Sequence, residues 1–548
     1  MNNKVYDIRD ITSVKDLFES SVELFGERTA FLSRNKDRIT KVTYDKAGED
    51  AKNFAAYLNS LGLSGKKIGV AGSNCYEWAL TYLTVCSGVG IIMPTDKDLN
   101  GEQLRFVFED SGASAVVFSD GMRGKVEGAV SDDCILIPFS EIPECVEKGR
   151  ALREAGDRSY EEHRVDPKAF GILLYTSGTM GVAKGVMLSQ YNVAVNVMQA
   201  LRRTGVSPDD RALSVLPLHH TYECMAGFLS FIYAGASVAY NASLRTLMGD
   251  FKAFAPTVFV TVPLIMDTFY KNILKKYKSV KGGRALLSMQ TAMAAKMKPA
   301  ARKKIFSTVN EVFGGKLRAF LCGAAPLPKE IFEAFKTFGF DVFVGYGLTE
   351  TAPVCMMHSD DYADPSDVGY PISGLRAKIV DADANGIGEL AVKGPNVMIG
   401  YYNQPEETEK VLRDGWFYTG DLARRNENGT YSITGRIKSM IVAENGKKIF
   451  PEELESELSK YPLVAECLVF QTPGGRPGAV TASIYPDEEA MATVADRDAA
   501  IKEIVDEVNK KFPHYKHITD TVIRSEPFEK TTTRKIKRNA EENLRGNR

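Results

Sequence analysis

The sequence of 548 residues lacks the features that mark several large classes of protein. Its 69 Lys and Arg are offset by 70 Asp and Glu, so no bulk attraction to nucleic acid or anionic lipid is expected. Eight cysteines include no Cys-x-x-Cys pair, and six histidines show no ligand spacing. Free thiols in a reducing cytoplasm are the simplest interpretation. The N-terminus, MNNKVYDIRD, has no apolar core of a signal peptide.

Long apolar runs are also scarce. The uncharged segment from Cys224 to Leu244 is long enough to cross a bilayer, but Gly227 and Gly235 interrupt it. We interpret it as a buried helix, a turn near Gly235 and a strand through Val238. No transmembrane segment is therefore expected.

Two common nucleotide-binding motifs are missing. A Walker A loop needs Gly-Lys followed by Ser or Thr, whereas Lys184 lies between Ala183 and Gly185. The dinucleotide pattern G-x-G-x-x-G is not matched either. The sequence therefore lacks the motifs that would best support an interpretation as a kinase, a GTPase or a dehydrogenase.

A different phosphate loop is present at 171–190. The apolar run Ile172–Tyr175 predicts a buried strand, and small or hydroxylated residues with one lysine follow it: Thr176, Ser177, Gly178, Thr179, Gly181 and Lys184. Exposed backbone N–H groups, hydroxyls and a lysine suit a phosphate chain. An ordinary flexible turn is the alternative.

Strands alternate with helices in the first part of the chain, which predicts βαβ units and parallel sheet. Helices are predicted at 12–26, 51–61, 76–86 and 101–110. Strands are predicted at 30–32, 67–71, 90–93 (ended by Pro94), 115–118, 251–263, 317–323 and 342–344. The section 121–168 is more polar and less regular. Two strands end in small-residue turns, Gly323-Ala324-Ala325 and Gly345-Tyr346-Gly347, which predicts a ligand cleft at one sheet edge.

Other segments predict a second kind of structure. Short strands from Gly388 to Ile433, including Tyr401-Tyr402, suggest a small β-barrel, and a compact α/β domain follows Lys438. His219 and His220 lie at the end of an apolar strand, where a structural role is the alternative to an active-site role. The basic helical stretch 271–316 is most simply a solvated face. Contact with acidic lipid head groups or a coenzyme A phosphate is the alternative.

Five motifs in order resemble the adenylate-forming superfamily, which includes acyl- and aryl-CoA ligases, luciferases and peptide-synthetase adenylation domains. They are Tyr-Thr-Ser-Gly-Thr-Met-Gly-Val-Ala-Lys-Gly, Gly-Tyr-Gly-Leu-Thr-Glu, Tyr-Thr-Gly-Asp, Gly-Arg-Ile-Lys and a terminal lysine segment. The resemblance covers nearly the full length. Met180, Ala183 and Arg534 depart from the usual Thr, Pro and Gly.

The resemblance implies roles for individual residues. The loop Thr176–Lys184 would hold phosphates, Tyr346 would lie against adenine and Thr349 would donate to the α-phosphate. Glu350, with Thr176, would hold Mg²⁺ through hard oxygen ligands. The remaining implied positions are His220 at the acyl site, Gly323, Ala324, Ala325, Gly345 and Gly347 at the nucleotide, Asp421 and Arg436 at the ribose, Lys438 as the hinge and Lys535 as the catalytic lysine.

The implied reaction has two steps, formation of acyl-AMP from ATP and transfer of the acyl group to coenzyme A. The segments Leu-Pro-Leu-His-His-Thr-Tyr-Glu and Glu-Asn-Gly-Lys-Lys-Ile-Phe-Pro-Glu-Glu look like those of bacterial long-chain fatty acid–CoA ligases. An aryl acid, an acyl-carrier-protein acceptor and a catalytically inactive nucleotide-binding homologue are the alternatives.

The fold implied is a multidomain α/β protein. Residues 1–435 would form the large region with α/β subdomains and a small β-barrel, 436–438 the hinge, and 439–548 a small mobile C-terminal domain. The expected partners are a fatty acid, ATP, Mg²⁺ and coenzyme A, with no nucleic acid. The sequence leaves oligomeric state and peripheral membrane contact open.

Overall fold

The computed structural model describes residues 8–36, 38–176, 183–241, 243–359, 362–443, 446–472, 474–492, 494–531, 536–538 and 544. The chain divides into two compact units. The first comprises 1–376 and 393–415, and the second comprises 377–392 and 416–548. Within the described residues, no helix is long and apolar enough to span a membrane.

The helices come in chain order. They are α1 Val14–Phe25, α2 Tyr44–Ser60, α3 Tyr76–Gly88, α4 Gly101–Ser111, α5 Arg123–Glu127, α6 Ile142–Glu154, α7 Ser159–Glu162, α8 Gln190–Thr204, α9 Ser230–Tyr233, α10 Leu247–Phe254, α11 Pro263–Lys278, α12 Gly283–Ala294, α13 Pro299–Ile305, α14 Ser307–Val312, α15 Lys329–Thr337, α16 Pro405–Val411, α17 Pro451–Leu458, α18 Glu488–Met491 and α19 Arg497–Lys510. A π-helix, Glu223–Leu229, directly precedes α9.

The strands of the first half are β1 Thr29–Asn35, β2 Arg38–Thr43, β3 Lys67–Ala71, β4 Ile91–Thr95, β5 Ala115–Phe118, β6 Ile135–Pro138, β7 Phe170–Thr176, β8 Lys184–Ser189, β9 Arg211–Ser214, β10 Ser237–Tyr240 and β11 Val258–Thr261. Those of the second half are β12 Ala319–Cys322, β13 Asp341–Gly347, β14 Val354–Met357, β15 Tyr370–Pro371, β16 Arg376–Val380, β17 Ile387–Lys393, β18 Gly400–Tyr401, β19 Leu412–Arg413, β20 Trp416–Arg425, β21 Tyr431–Arg436, β22 Ile441–Val442, β23 Lys448–Ile449, β24 Val464–Gln471, β25 Val480–Pro486 and β26 Asp520–Ile523.

Two large sheets build the first unit. One has nine strands in the order β15-β14-β13-β12-β11-β9-β10-β1-β2, and the other has seven in the order β18-β8-β7-β4-β3-β5-β6. The stretch β10-β9-β11-β12-β13 is parallel. Phenylalanines dominate one core beside the larger sheet, where Phe313 contacts Phe251, Phe320 and Phe340 edge-on. The predicted α/β architecture is therefore confirmed.

The second unit is smaller. Its strand β17 pairs antiparallel with β20, and β20 pairs with β21. A three-stranded sheet, β24-β25-β26, packs with α17 and α19 around the core residues Leu454, Val469, Ile484, Ile501 and Val508. Pro451 opens α17 at its first turn, where a missing N–H leaves no bond unmade.

The structure corrects several local predictions. Tyr401 does not join a barrel with Trp416–Ile433, because Gly400–Tyr401 pairs with β8 in the seven-stranded sheet. No closed barrel forms among the described strands of 377–436. The section 121–168, which was predicted to be less regular, contains β6 and the helix α6. The sequence of α6 is rich in charged residues, but its side chains Cys145 and Val146 are buried. Residues 251–254 belong to α10, and β11 starts only at Val258. Pro94 lies inside β4.

The ambiguous segment 224–244 folds as predicted. The π-helix and α9 are buried, Gly235 turns the chain at a φ of +72°, and β10 follows through Val238. A side chain at Gly235 would also meet the ring of Phe25, since a Cβ there would lie 2.6 Å from it. All eight cysteines are free.

Candidate active site

The carboxyl ends of β9, β12 and β13 meet at one edge of the nine-stranded sheet, since these strands run parallel and Cys322 is paired with Val344. Of the segments predicted to carry the site, 215–220 and 323–325 follow β9 and β12, while 345–350 begins with the last residues of β13 and continues past it. The predicted cleft therefore corresponds to a real sheet edge, where open α/β sheets bind ligands.

Glycines at this edge are required by close packing. A Cβ on Gly323 would lie 2.9 Å from the ring of Tyr222, whose hydroxyl donates to the carbonyl of Leu321 at 2.9 Å. A Cβ on Gly347 would collide with the Pro353 carbonyl at 1.8 Å. Ala324 adopts a φ of +70°, and Ala325 is exposed beside it. Gly345 and Tyr346 are half-buried at the end of β13.

Glu350 lies in a short 3₁₀ turn, Thr349–Thr351, directly after β13. Its Oε1 accepts a hydrogen bond from the Tyr401 hydroxyl at 2.9 Å, and its carbonyl accepts one from the Met398 amide at 2.8 Å. Burial, followed by the Glu350 charge, raises the pKa of Tyr401, so this tyrosine remains a proton donor. The carboxylate is thus held in a defined direction by a neighbouring segment.

Lys184 is positioned by the β7–β8 hairpin, in which Thr176 is paired with Lys184. Its Nζ lies 2.6 Å from Glu407 Oε2 and 4.8 Å from the centroid of the Tyr401 ring. Hydrogen bonds from Lys184 and then Lys410 lower the pKa of Glu407 to about 2, so Glu407 stays ionised at neutral pH. Tyr401 therefore contacts both Lys184 and Glu350, which are far apart in sequence.

Some predicted residues lie outside the described part of the chain. They are Ser177, Gly178, Thr179 and Gly181 of the loop, together with Arg534 and Lys535 near the end. Thr176 is half-buried, and its hydroxyl is 3.4 Å from the Lys184 carbonyl. The two ends of the loop are consequently fixed by strand pairing.

The two histidines follow β9 after a short non-strand segment, which places them later than predicted. The His219 Nε2 lies 3.4 Å from Asp96 Oδ2, and the His219 and His220 rings are 4.2 Å apart. Burial acts to raise the pKa of Asp96, but the hydrogen bond and charge of His219 outweigh it and the pKa is lowered. Asn74 orders the same segment, since its amide bonds the Leu216 carbonyl and the Leu218 N–H.

The donor set at the predicted magnesium site consists of hard oxygens, the Glu350 carboxylate and the Thr176 hydroxyl, which suit Mg²⁺. The described residues contain no cluster of three or more His, Cys, Asp or Glu that could hold a metal by themselves. This is compatible with Mg²⁺, because that ion is usually bound by one or two carboxylates together with substrate phosphates.

In the second unit, Asp421 and Arg436 are paired across β20 and β21. Asp421 is buried, Arg436 is half-exposed, and Arg436 Nε lies 2.8 Å from Asp421 Oδ1. Thr419 caps the turn before Asp421, because its hydroxyl accepts from the Asp421 amide at 3.1 Å. Lys438 is exposed in the 3₁₀ turn Ile437–Ser439 just after β21. The structure thus brings the predicted ribose-binding pair together.

Sequence reasoning missed four residues that orient the site: Asn74, Asp96, Tyr401 and Glu407. Asp96 could have been found, since it directly follows the buried strand β4 and polar residues at strand ends are candidates for function. Tyr401 and Glu407 offered no such signal, because they reach Glu350 and Lys184 only through the pairing of β18 with β8.

An apolar cavity of about 40 Å³ lies within the first unit beside Gly345. Strands β12–β14, α8 and the π-helix line it, and its lining includes Tyr222, Met225, Ala226, Cys322, Phe343 and Met357. The cavity is far below the roughly 300–1,000 Å³ of ligand pockets. A ligand larger than a few atoms would have to displace the lining.

Sequence comparison identifies relatives over most of the chain. Residues 18–402 match the AMP-binding enzyme family, and residues 438–544 match the AMP-binding enzyme C-terminal domain. A chloroplastic long-chain-fatty-acid–[acyl-carrier-protein] ligase of Arabidopsis thaliana is 26% identical, covering 88% of this chain and 77% of its own. A long-chain-fatty-acid–CoA ligase of Escherichia coli O157:H7 is 27% identical, covering 85% and 84%.

Solved structures share the fold. ATP-bound MatB from Rhodopseudomonas palustris superposes with a TM-score of 0.77 at 23% identity, covering 96% of this chain and 98% of its own. O-succinylbenzoate coenzyme A synthetase from Bacillus subtilis, solved with ATP and magnesium, gives a TM-score of 0.74 at 21% identity, covering 95% and 98%. The ordered motifs and the shared architecture agree with the family match over residues 18–402. The chain therefore belongs to the AMP-binding enzyme family of adenylate-forming proteins.

Proposed function

We propose that this protein activates a carboxylic acid with ATP and then transfers the acyl group to a thiol. The observation that carries the proposal is the contact of Tyr401 with both Lys184 and Glu350. It brings the lysine of the phosphate loop close to the carboxylate assigned to Mg²⁺. Family membership supports the same reaction class.

In the first step, an oxygen of the acid would attack the α-phosphorus of ATP while the bond to pyrophosphate breaks. Lys184 would exchange its partner Glu407 for phosphate oxygens, and Glu350 would stay oriented by Tyr401. Bound Mg²⁺ would supply neutralisation of phosphate charge. Reactions of this kind depend mainly on positioning and charge stabilisation. Lys535 would act at this step, from the C-terminal segment.

The nucleotide's sugar would be bound by Asp421 and Arg436. The buried Asp421 carboxylate can accept hydrogen bonds from ribose hydroxyls, and the half-exposed Arg436 orients it through the Nε–Oδ1 contact of 2.8 Å. In the second step the thiol sulfur would attack the acyl carbon and AMP would leave. We propose Lys438 as the hinge that lets Lys535 withdraw before the thiol enters, with 1–435 and 439–548 as the moving parts.

We propose a long-chain fatty acid as the acid and coenzyme A as the thiol. The apolar cavity next to Gly345 supports an acyl chain, because aliphatic and aromatic side chains dominate its lining. Its small size means that flexible residues such as Met225 and Met357 would move aside. The relatives named as long-chain-fatty-acid ligases support a long-chain fatty acid as the substrate. Because one of them is named as an acyl-carrier-protein ligase, an acyl carrier protein is the second candidate for the acceptor.

The test is product analysis with ATP, Mg²⁺, a panel of acids and either thiol acceptor. AMP and acyl thioester are expected, and ADP would refute adenylation. Tyr401→Phe should lower kcat/KM for ATP by about 10–100-fold, the usual cost of a hydrogen bond to a charged group. Tyr270→Phe is a matched control, since its hydroxyl donates to Glu330 Oε1 at the same 2.9 Å and neither residue is assigned a role in the site. Equal effects of the two variants would contradict the role of Tyr401.

A further inference from the structure

One stretch of the first unit has a charge unlike the rest of the chain. Between residues 268 and 310 there are eleven Lys and Arg and no Asp or Glu, in a protein with a net charge of −1. Asp267 and Glu311 mark its borders. The stretch comprises most of α11, the helices α12 and α13, and the start of α14.

Large apolar side chains are exposed in the middle of this basic stretch. Val280 is 57% exposed, Met289 55% and Met293 49%, with Leu286 and Met297 also exposed. Leu286, Met289 and Met293 are spaced by three and four residues on α12, so they share one helix face. The other exposed residues of α12 are Ala285, Ser288, Thr291 and Ala292, with Arg284 as the single charge.

The opposite face of α12 is well anchored, so its exposed face is a stable feature of the fold. Gln290 accepts a hydrogen bond from the Tyr277 hydroxyl at 2.7 Å and donates to the Ile305 carbonyl at 2.8 Å. Ala294 is fully buried, and Leu287 packs against the phenylalanine-rich core. The helix therefore presents its uncharged residues to solvent while its inner side is fixed.

Basic residues lie at both ends of the uncharged face. Lys276, Lys278, Lys281 and Arg284 precede it, and Lys296 and Lys298 follow it, all exposed. None of these six forms an ion pair with any residue in the described ranges. An apolar centre between unpaired cations matches an anionic bilayer surface, whose head groups are negative and whose interface is apolar just below them.

We propose that this surface, α12 with its flanking lysines, binds the protein peripherally to membranes that contain anionic lipids. Leu286, Met289 and Met293 would enter the interface, and the lysines would contact the head groups. An acidic protein would be attracted by the same cations, but it would not by itself account for the exposed methionines and leucine between them. The inference does not depend on the enzymatic activity.

The test is co-sedimentation of the full chain with lipid vesicles, without nucleotide or acid. We expect binding to vesicles of equimolar phosphatidylglycerol and phosphatidylcholine, at least tenfold stronger than binding to phosphatidylcholine alone. The binding should weaken strongly between about 0.1 M and 1 M salt, as the screening length falls from about 10 Å to 3 Å. Absence of binding, or equal affinity for both vesicles, would overturn the proposal.

Variants separate the electrostatic contribution to vesicle binding from the apolar contribution. Replacing Lys278, Lys281, Lys296 and Lys298 by Gln should weaken binding about 10²–10³-fold, since each of the four cations contributes about fivefold. The matched control replaces four exposed lysines elsewhere, Lys41, Lys66, Lys502 and Lys510. The apolar pair Met289→Ser/Met293→Ser should weaken binding several-fold, whereas Leu24→Ser/Leu61→Ser, also exposed, should not. Equal losses in variant and control would overturn the assignment of the surface.

A measurement on the unmodified protein guards against folding defects in the variants. Hydrogen exchange of residues 283–298 should slow on anionic vesicles and remain unchanged with neutral ones. Protection elsewhere with none at 283–298 would refute the proposed surface. Binding of an acidic protein, or self-association through α12, in the absence of vesicle binding would refute a membrane as the partner.

Discussion

Glu223 offers a sharp physical test, because a carboxyl group is fully buried at the start of the π-helix. Its Oε1 accepts a hydrogen bond from the Ser214 hydroxyl at 2.6 Å, while its Oε2 has no hydrogen-bond partner among the described residues. Burial raises the pKa of Glu223 to about 8, although the Ser214 hydroxyl and the Val215 amide act in the opposite direction. At neutral pH the folded protein thus holds mostly the neutral acid.

The raised pKa makes stability depend on pH with a definite sign. The unfolded carboxyl releases its proton near its ordinary pKa of about 4.3, whereas the folded carboxyl keeps it until about pH 8. This contribution to stability is complete below the unfolded pKa and is lost as pH rises through the folded one. Between pH 5 and 7.5 the loss amounts to about 3 kcal/mol.

Glu223→Gln removes this titration while keeping the size of the side chain. We expect the melting temperature of the variant, relative to wild type, to rise by several degrees between pH 5 and 7.5. Trp78 is a suitable probe, because it is buried and its ring centroid lies 6.4 Å from that of Phe228 in the π-helix. A Trp416→Phe background leaves Trp78 as the single tryptophan.

Asp210→Asn is the control for this measurement. Burial acts to raise the pKa of Asp210, but the hydrogen bond and charge of Arg318 outweigh it, and the pKa is lowered. Its carboxyl is ionised in both folded and unfolded states at pH 5–8, so the effect of this variant should be constant there. A constant difference for Glu223→Gln over the same range, or one that falls with pH, would refute the buried neutral acid.

Three further predictions concern the reaction. Asp421→Asn should raise KM for ATP about 10–100-fold, because a charge-assisted hydrogen bond is lost from the proposed ribose site, and a change confined to KM for the acid would contradict that site. Lys535→Ala should slow acyl-adenylate formation about 10²–10³-fold but largely spare thiolysis of supplied acyl-adenylate, whereas equal losses in both half-reactions would point to Arg534 or Lys530 instead. In a series from octanoate to palmitate, kcat/KM should rise steadily, with a total gain below the roughly 6 kcal/mol that eight buried methylenes allow, and a flat series or a preference for benzoate would contradict a long-chain acid.

The sequence predicted those parts of the fold that are encoded locally. Strands β3 and β5 were predicted with their observed ends, since Lys67–Ala71 and Ala115–Phe118 are apolar runs bounded by turn residues. Helix α6 was missed because its buried residues, Ile142, Cys145, Val146 and Gly149, are few and are separated in sequence by the charged residues of its outer face. The true partner of Tyr401 could not be predicted, because two aromatic residues in a short strand fit a barrel and a sheet edge equally well.

The candidate site divides in the same way. The sequence predicted Tyr346, Glu350 and Asp421 as site residues, because each lies in a continuous motif that can be recognised without knowledge of the tertiary structure. The residues that orient them, such as Tyr401 for Glu350 and Asp96 for His219, come from distant segments. Their identities are set by contacts between strands, and such contacts leave no local pattern in a single sequence.

The orienting contacts also bear on Met180 and Ala183, the two residues of the phosphate loop that differ from the usual Thr and Pro. The Lys184 backbone is fixed by its pairing with Thr176, and its side chain is fixed by Glu407 and Tyr401. None of these contacts involves residue 180 or 183. The position of the lysine therefore follows from strand pairing and from the segment 401–407. A missing hydroxyl at 180 removes a phosphate donor, and a missing proline at 183 frees one backbone φ, without displacing the charge that the proposed chemistry needs.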